Sequence, residues 1–328
     1  MKDVVLLADP NTSSWDFAKK IKEYIHRTKE EIVPLYEIEI EYFNNKELNV
    51  HVPTNIRKKH IYYIHDSSMN PQEWWVELLL IKDLLLSASV ENITFVLPNM
   101  LYSRQDRKHM SRVPISSRAL ASSISPGLKR IITVDLHSPQ IQNAYPSNVP
   151  VDNLHSFPDV VRYLEEKHMK EIEDLVIVSP DVGGVDRARS FLKRLENINN
   201  GFFKRRNYSL ALINKARSKP GEVSEMQLVG EVHGKDVLIV DDIIDTGETL
   251  CRAADLLREE GARKVMCYGT HGIFSKGCDK MKEKFDVVMT SNTHYRESNF
   301  VEVIDLAPLF AEAIYRAQKG LSISRLFD

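Results

Sequence analysis

Val237-Leu238-Ile239-Val240-Asp241-Asp242-Ile243-Ile244-Asp245-Thr246-Gly247-Glu248-Thr249 decides the reading of this chain. Four apolar, mostly β-branched residues run into two acids. A short loop then closes at Gly247, and Leu250, Ala253, Ala254 and Leu257 recur at helical spacing. The pattern predicts a buried parallel strand, a tight loop and a helix. In open α/β sheets ligands bind off the carboxyl ends of the strands, and the backbone N–H groups of a helix N-terminus attract phosphate. Carboxylates at the strand tip accept hydrogen bonds from sugar hydroxyls, while loop N–H groups and hydroxyls hold a phosphate. Two acids alone would be ordinary at a strand-to-helix turn; the whole run suits a phosphorylated ribose.

Composition sets the frame for that site. A chain of 328 residues, 43% hydrophobic and 27% charged, has the length for about two domains with ample core. The formal net charge of −2 gives no basic excess for a nucleic-acid partner, and no long apolar run points to a membrane partner. Cys251, Cys267 and Cys278 are odd in number and make no CxxC pair, which argues against a disulfide framework or a zinc site. With no signal peptide in view, the expected location is the cytoplasm.

From the 237–249 stretch outward, strands and helices alternate. Strands are predicted at Val4–Leu7, Ile38–Tyr42, Ile61–Ile64, Ile93–Leu97 and Arg130–Val134, with helices at Trp15–Ile25, capped by Ser13 or Ser14, at Trp74–Ala88 and from Ser116. Trp74 and Trp75 read as packing residues. Pro146 and Pro150 punctuate the chain and place a domain boundary, giving residues 1–153 and 154–328. In the second part a helix at Phe157–His168 and the strand Leu175–Ser179 precede a helix through Arg194. Tyr208–Ile213, Met226–Val232, Lys264–Thr270, Val287–Thr290 and Val301–Ile304 follow as strands, and Leu306–Ala317 closes the chain as a helix. The expected fold class is α/β, with two similar domains, each a mainly parallel sheet flanked by helices.

Four further runs carry chemistry. Leu101-Tyr102-Ser103-Arg104-Gln105-Asp106-Arg107-Lys108 continues to Ser116 as an Arg-rich loop between strand and helix, and guanidinium groups pair with phosphate oxygens. Asp135-Leu136-His137-Ser138 ends a strand. Pro180-Asp181-Val182-Gly183-Gly184 ends another, where an Asp beside a glycine pair can hold a diphosphate and its metal. Asn214-Lys215-Ala216-Arg217-Ser218-Lys219-Pro220-Gly221 reads as a basic excursion before a return strand, the form of a phosphoryl-transfer lid. The polar stretch from Glu196 to Asn207, with Lys204-Arg205-Arg206, reads as a solvated loop.

The 237–249 run resembles the 5-phosphoribosyl-diphosphate loop of type I phosphoribosyltransferases and of ribose-phosphate diphosphokinases. The 101–116 loop and the Asp135 to Leu154 passage resemble the diphosphokinases, which alone have the 101–116 loop. The resemblance covers essentially the whole chain and implies a phosphoribosyltransferase-like fold, with an ATP-binding loop in domain 1–153 and the ribose-phosphate loop and lid in domain 154–328. It implies transfer of the β,γ-diphosphoryl group of ATP to O1 of ribose 5-phosphate, with Mg²⁺ held by His137 and Asp181. Lys215 and Arg217 would be the catalytic pair of the lid. Phe43, Asn45, Glu47, Arg104, Gln105 and His137 would bind ATP, the first three serving a neighbouring subunit. Asp241 and Asp242 would face the ribose hydroxyls, Asp245, Thr246, Gly247, Glu248 and Thr249 would wrap the 5-phosphate, and Asp181, Gly183 and Gly184 would line the diphosphate. The implied partners are ATP and a 5-phosphorylated ribose in a homo-oligomer, dimer or hexamer, with no nucleic acid and no membrane.

Several positions depart from the family. Glu248 stands where glycine is usual, and a carboxylate beside a phosphate dianion is unfavourable. That charge keeps open an acceptor with a substituted 5-phosphate, such as ADP-ribose. Asn55, Lys58, His109 and the segment His65 to Trp75 also stray from the family pattern, in and around its regulatory phosphate site. A silent regulatory subunit is the third reading; retention of Lys215, Arg217, His137, Asp181, Asp241 and Asp242 argues against it.

Overall fold

The computed structural model describes the whole chain except residues 2, 169, 198–206, 217–224, 295–298 and 327–328. Two compact units form: Met1–His155 with Asp305–Asp328, and Ser156–Ile304.

The first unit opens with β1 (Val4–Ala8), α1 (Ser13–Lys29), β2 (Leu35–Glu37), β3 (Glu39–Tyr42) and β4 (Leu48–His51). It continues through β5 (His60–Ile64), α2 (Pro71–Ser87), β6 (Asn92–Val96), α3 (Ser116–Ile124), β7 (Arg130–Val134) and β8 (Val151–Leu154). Six strands pair in the order β2-β1-β5-β6-β7-β8, every neighbour parallel. All five residues of β1 are buried, the continuous apolar run expected of a strand covered on both faces. Val5, Leu7, Tyr63, Phe95 and Ile131 from the sheet pack with Trp74, Leu78 and Leu120 of the helices.

In the second unit α4 (Phe157–Lys167) leads to β9 (Leu175–Ser179), α5 (Val185–Asn197), β10 (Tyr208–Ala216), β11 (Glu225–Val229) and β12 (Asp236–Ile244). Then come α6 (Glu248–Glu259), β13 (Lys264–Gly272), α7 (Asp279–Lys282), β14 (Val287–Ser291) and β15 (Val301–Ile304). The order is β11-β10-β9-β12-β13-β14-β15, parallel except for the β10–β11 pair. Without the edge strand β11, the two sheets have the same strand order. Each is a mainly parallel sheet flanked by helices, as the alternation predicts.

Three features differ from the sequence reading. The closing helix α8 (Ala307–Lys319) packs on α1 of the first unit, where Phe17 and Phe310 meet edge to face at 5.4 Å and Lys29 pairs with Glu312 at 2.7 Å. Periodicity marks a helix but not the partner for its apolar face, so 154–328 is not one compact unit. The strand expected at Ile38–Tyr42 is present as β3, but it lies outside the main sheet and pairs antiparallel with β4 in a separate hairpin, while the main-sheet edge is β2, just before it and not read from the sequence. Short, half-exposed strands such as β2 and β4 carry little apolar pattern to show them. Finally, α1 is capped from outside. Thr12 is its N-cap without a side-chain cap bond, while the Asp66 carboxylate accepts from Ser13 N–H at 3.3 Å and Ser13 Oγ at 3.0 Å.

No helix among the described residues is long and apolar enough to cross a membrane.

Candidate functional site

β12 lies between β9 and β13, inside its sheet, and its carboxyl end delivers Asp241 and Asp242. Both side chains are largely buried, Asp241 24% exposed and Asp242 4%. One guanidinium serves the two. Arg187, from the first turns of α5, places Nη1 3.1 Å from Asp241 Oδ1 and Nη2 3.0 Å from Asp242 Oδ1. Asp242 N–H also donates to Asp241 Oδ1 at 2.9 Å. Burial first, and then the Asp242 charge, push the Asp241 carboxyl up to about 7, against the pull of Arg187. Asp241 is the more open acceptor of the two.

The loop that follows turns sharply. Gly247 is the N-cap of α6 with φ 71°, and a Cβ there would stand 2.8 Å from Met281 Sδ, so both conformation and space require glycine. The first turn of α6 then presents its N–H groups to an anion. Glu248 N–H lies 3.4 Å from Thr246 Oγ1. A second loop, residues 273–277, braces this one. Ile273 and Phe274 N–H donate to Ile244 O at 2.8 and 3.1 Å, Ser275 N–H to Asp245 O at 3.2 Å, and Ser275 Oγ to Asp245 Oδ1 at 2.6 Å. Lys276 Nζ then reaches the Glu248 carboxylate at 2.8 Å. That pairing holds Glu248 below the usual carboxylate range and raises Lys276.

After β9, the Asp181 carboxylate accepts from Gly184 N–H at 2.9 Å, and Ser179 Oγ donates to the Asp181 carbonyl at 2.7 Å. A Cβ on Gly184 would sit 2.8 Å from Ser179 Oγ. The turn is therefore narrow, with Gly183 exposed on its rim. Lys215 lies on β10 opposite Met226 of β11, but its side chain and the whole of Arg217 fall outside the described residues. So does most of the 196–207 stretch.

In the first unit, Phe43, Asn45 and Glu47 share the tip of the β3–β4 hairpin. Phe43 N–H donates to Glu47 O at 2.8 Å, Lys46 N–H to Phe43 O at 2.8 Å, and Glu47 N–H to Asn45 Oδ1 at 3.2 Å. The Phe43 ring is 55% exposed, an apolar face left open to a flat partner. Arg104 and Gln105 lie exposed in the loop before α3. Gln105 also closes that helix: its carbonyl accepts from Ser117 N–H at 3.3 Å and its side chain from Ser116 Oγ at 2.5 Å. Trp75 supports the loop edge-on against Tyr102 at 4.7 Å, as a packing residue should. His137 is exposed just beyond β7.

The described residues contain no group of three His, Cys, Asp or Glu arranged for a metal. Mg²⁺ prefers oxygen donors, takes few protein ligands and relies on waters and substrate phosphates; in the second unit the Asp181 carboxylate is a donor of that kind, and in the first unit the His137 imidazole is accessible. Sequence reasoning missed Arg187, Ser275 and Lys276. Arg187 carried a faint signal, as a cation a few residues past the Gly183-Gly184 turn; the other two are distant in sequence from everything they touch.

Comparison with known proteins matches both halves. Residues 10–126 fit the model of the N-terminal domain of ribose phosphate pyrophosphokinase, and residues 150–310 fit the phosphoribosyl transferase domain. The chain is 39% identical over 304 residues to ribose-phosphate pyrophosphokinase from Cereibacter sphaeroides, covering 90% of this chain and 87% of that one. It is 37% identical over 307 residues to the enzyme of that name from Rhizobium meliloti, covering 90% and 93%. The solved structure of phosphoribosylpyrophosphate synthetase from Mycobacterium smegmatis superposes with a TM-score of 0.83 at 30% identity, covering 97% of this chain and 99% of that one.

Proposed function

This chain belongs to the ribose-phosphate pyrophosphokinase family, and on that premise we propose that it makes 5-phosphoribosyl 1-diphosphate and AMP from ATP and ribose 5-phosphate. The observation that carries the reading is the Asp241–Asp242 pair, held by one guanidinium at a strand tip beside a glycine-capped helix N-terminus.

In the reaction the O1 hydroxyl of the sugar attacks the β-phosphorus of ATP. The O1–Pβ bond forms, the bond from Pβ to the oxygen bridging the α-phosphorus breaks, its electron pair leaves with AMP, and the hydroxyl proton passes to solvent. Such transfers depend on positioning and charge neutralisation. Asp241 and Asp242 accept from the ribose hydroxyls. The 245–249 turn and its N–H groups take the 5-phosphate, and the 181–184 turn lines the diphosphate. Arg104, Gln105 and His137 hold the nucleotide, with Phe43, Asn45 and Glu47 offered to the adenine of a neighbouring copy. Lys215 and Arg217 meet the charge that develops on the transferred group. His137 and Asp181 would hold Mg²⁺, which would neutralise charge on the phosphate oxygens.

The charge that favoured a substituted acceptor is met within the chain by Lys276, so ribose 5-phosphate is the preferred substrate. The test is AMP release from Mg²⁺-ATP with ribose 5-phosphate, with ADP-ribose and with no acceptor, products identified by mass. AMP only with ribose 5-phosphate is expected. AMP only with ADP-ribose, or none at all, overturns the proposal.

A further inference from the structure

We propose that Lys276 is a specificity-determining residue that acts through Glu248: it cancels a carboxylate in the phosphate loop and so lets that loop accept a dianion. The proposal rests on the reading of residues 245–249 as the 5-phosphate loop.

Glu248 is the first residue of α6, in the turn whose N–H groups would face the phosphate. A carboxylate there works against the helix dipole's attraction for the ligand, because the site is already occupied by a negative charge. Lys276 removes the conflict at 2.8 Å. Its loop is pinned to the strand and turn it serves by the Ile273, Phe274 and Ser275 hydrogen bonds. Phe274 is held at φ 45°, a left-handed conformation that a bulky residue rarely adopts, and Gly277 at φ 74° closes the loop. The backbone thus holds Lys276 beside Glu248.

Stability gives no reason for this arrangement. The side chains are 63% and 47% exposed, and exposed pairs contribute little to folding. Lys280 and Arg252 also face Glu248, and Asp245 faces Lys276, but the hydrogen bond to Glu248 is made by Lys276. The position pairs a foreign anion with its own counter-ion at the mouth of an anion site.

Three variants test this: Lys276→Gln, Glu248→Gln and the double variant. The readouts are the steady-state kinetics of AMP release and the calorimetric affinity for ribose 5-phosphate. Lys276→Gln is expected to raise KM and Kd for ribose 5-phosphate by roughly five- to tenfold, from one uncancelled charge near a dianion. kcat and the KM for ATP should stay within about twofold. Glu248→Gln alone should bind at least as well as the wild type, and the double variant should return to within about twofold of it.

An unchanged affinity in Lys276→Gln overturns the proposal. So does a double variant as impaired as Lys276→Gln, since Lys276 would then touch the ligand directly. Calorimetry keeps the test independent of turnover: a wild type that binds ribose 5-phosphate without releasing AMP defeats the assigned reaction and leaves this inference testable. A wild type that does not bind it defeats both.

Discussion

The third strand along each shared sheet order ends in different chemistry. Val4 pairs with His60 in the first sheet and Leu175 with Asp236 in the second, so the same five-residue step leads from His60 to His65 and from Asp236 to Asp241. Asp241-Asp242 thus corresponds to His65-Asp66. In the second unit the two acids share a guanidinium, and Asp241 stays partly open. In the first, the equivalent position is sealed. Tyr63 Oη donates to Glu77 Oε1 at 2.8 Å, Glu77 lies 3.2 Å from His65 Nδ1, and His65 Nε2 lies 3.1 Å from the Trp74 carbonyl, with the imidazole stacked on Trp74. Since a carbonyl only accepts, Nε2 carries the His65 proton and Nδ1 accepts. Burial pushes Glu77 up to about 7 and His65 down to about 4, so both are neutral in mildly acidic solution, with the Tyr63 hydroxyl within hydrogen-bond distance of each. One fold therefore turns the same strand end into a partly open pair of guanidinium-bound acids in one unit and into core in the other.

The largest expected effect breaks the symmetry where the sheets themselves differ. The β10–β11 pair has no counterpart in the first unit, and it carries Lys215. Lys215→Ala should lower kcat by roughly 10³-fold, because it removes charge stabilisation developed only in the transition state, and leave the KM for ATP within a few-fold. Single-turnover AMP formation would measure it. An unaffected rate would remove the extra hairpin from the chemistry.

Next comes Arg187→Met. Loss of the cation leaves two buried carboxylates facing each other, a cost of about 3 kcal/mol that protonation relieves. Arg187 lowers the Asp241 pKa, so its removal raises that pKa further above about 7. Acceptor kcat/KM should fall by roughly 100-fold at neutral pH and recover partly as pH rises, as the acids ionise again. A flat pH profile would mean that the guanidinium does not set the charge of the pair.

What the sequence showed and what it hid divide along the same line. The strand-tip acids, Gly247 and the Gly183-Gly184 turn were legible because their chemistry is local: a strand, a turn and a helix start are written in consecutive residues. Arg187 reaches Asp241 across 54 positions and Lys276 reaches Glu248 across 28, and neither distance has a periodicity. The fold class was legible from alternation, but the docking of α8 on α1 was not, since an amphipathic helix does not name its partner. The His65 to Trp75 departure showed only as an unfamiliar string; its meaning as a sealed neutral network needed Glu77 and Trp74 in place.

That network predicts an intermediate effect, on stability. Glu77 has a folded pKa of about 7, above its ordinary 4.5, so its contribution is full below about pH 4.5 and is lost as pH rises through 7. His65, at about 4 against 6.5, contributes fully above about pH 6.5 and loses that contribution as pH falls through 4. The two slopes oppose each other between about pH 4.5 and 6.5. Glu77→Gln removes the first. The stability of the variant relative to wild type should therefore rise by on the order of 2 kcal/mol from pH 5 to 7.5, read from urea midpoints. A parallel pair of curves would show that Glu77 is ionised in the native state and that the seal is not neutral.

The smallest effect is the sharpest test of the comparison, because it concerns the one residue type that both strand ends keep. Asp66 corresponds to Asp242, yet its carboxylate is spent on Ser13 and on Ser68 N–H at 2.8 Å, closing α1 and its own turn. Asp66→Ala should cost about 1 kcal/mol of stability, the usual value of a lost helix cap, with the KM for ribose 5-phosphate unchanged. Asp242→Ala should instead behave like Arg187→Met and appear in acceptor kinetics. A tenfold rise in acceptor KM from Asp66→Ala would mean that the first strand end still takes part in acceptor binding. An unchanged stability would mean that the cap does no work. If both expectations hold, an identical side chain at an identical register serves structure in one copy and recognition in the other. The neighbours decide which: a helix N-terminus needing an acceptor on one side, a buried guanidinium on the other.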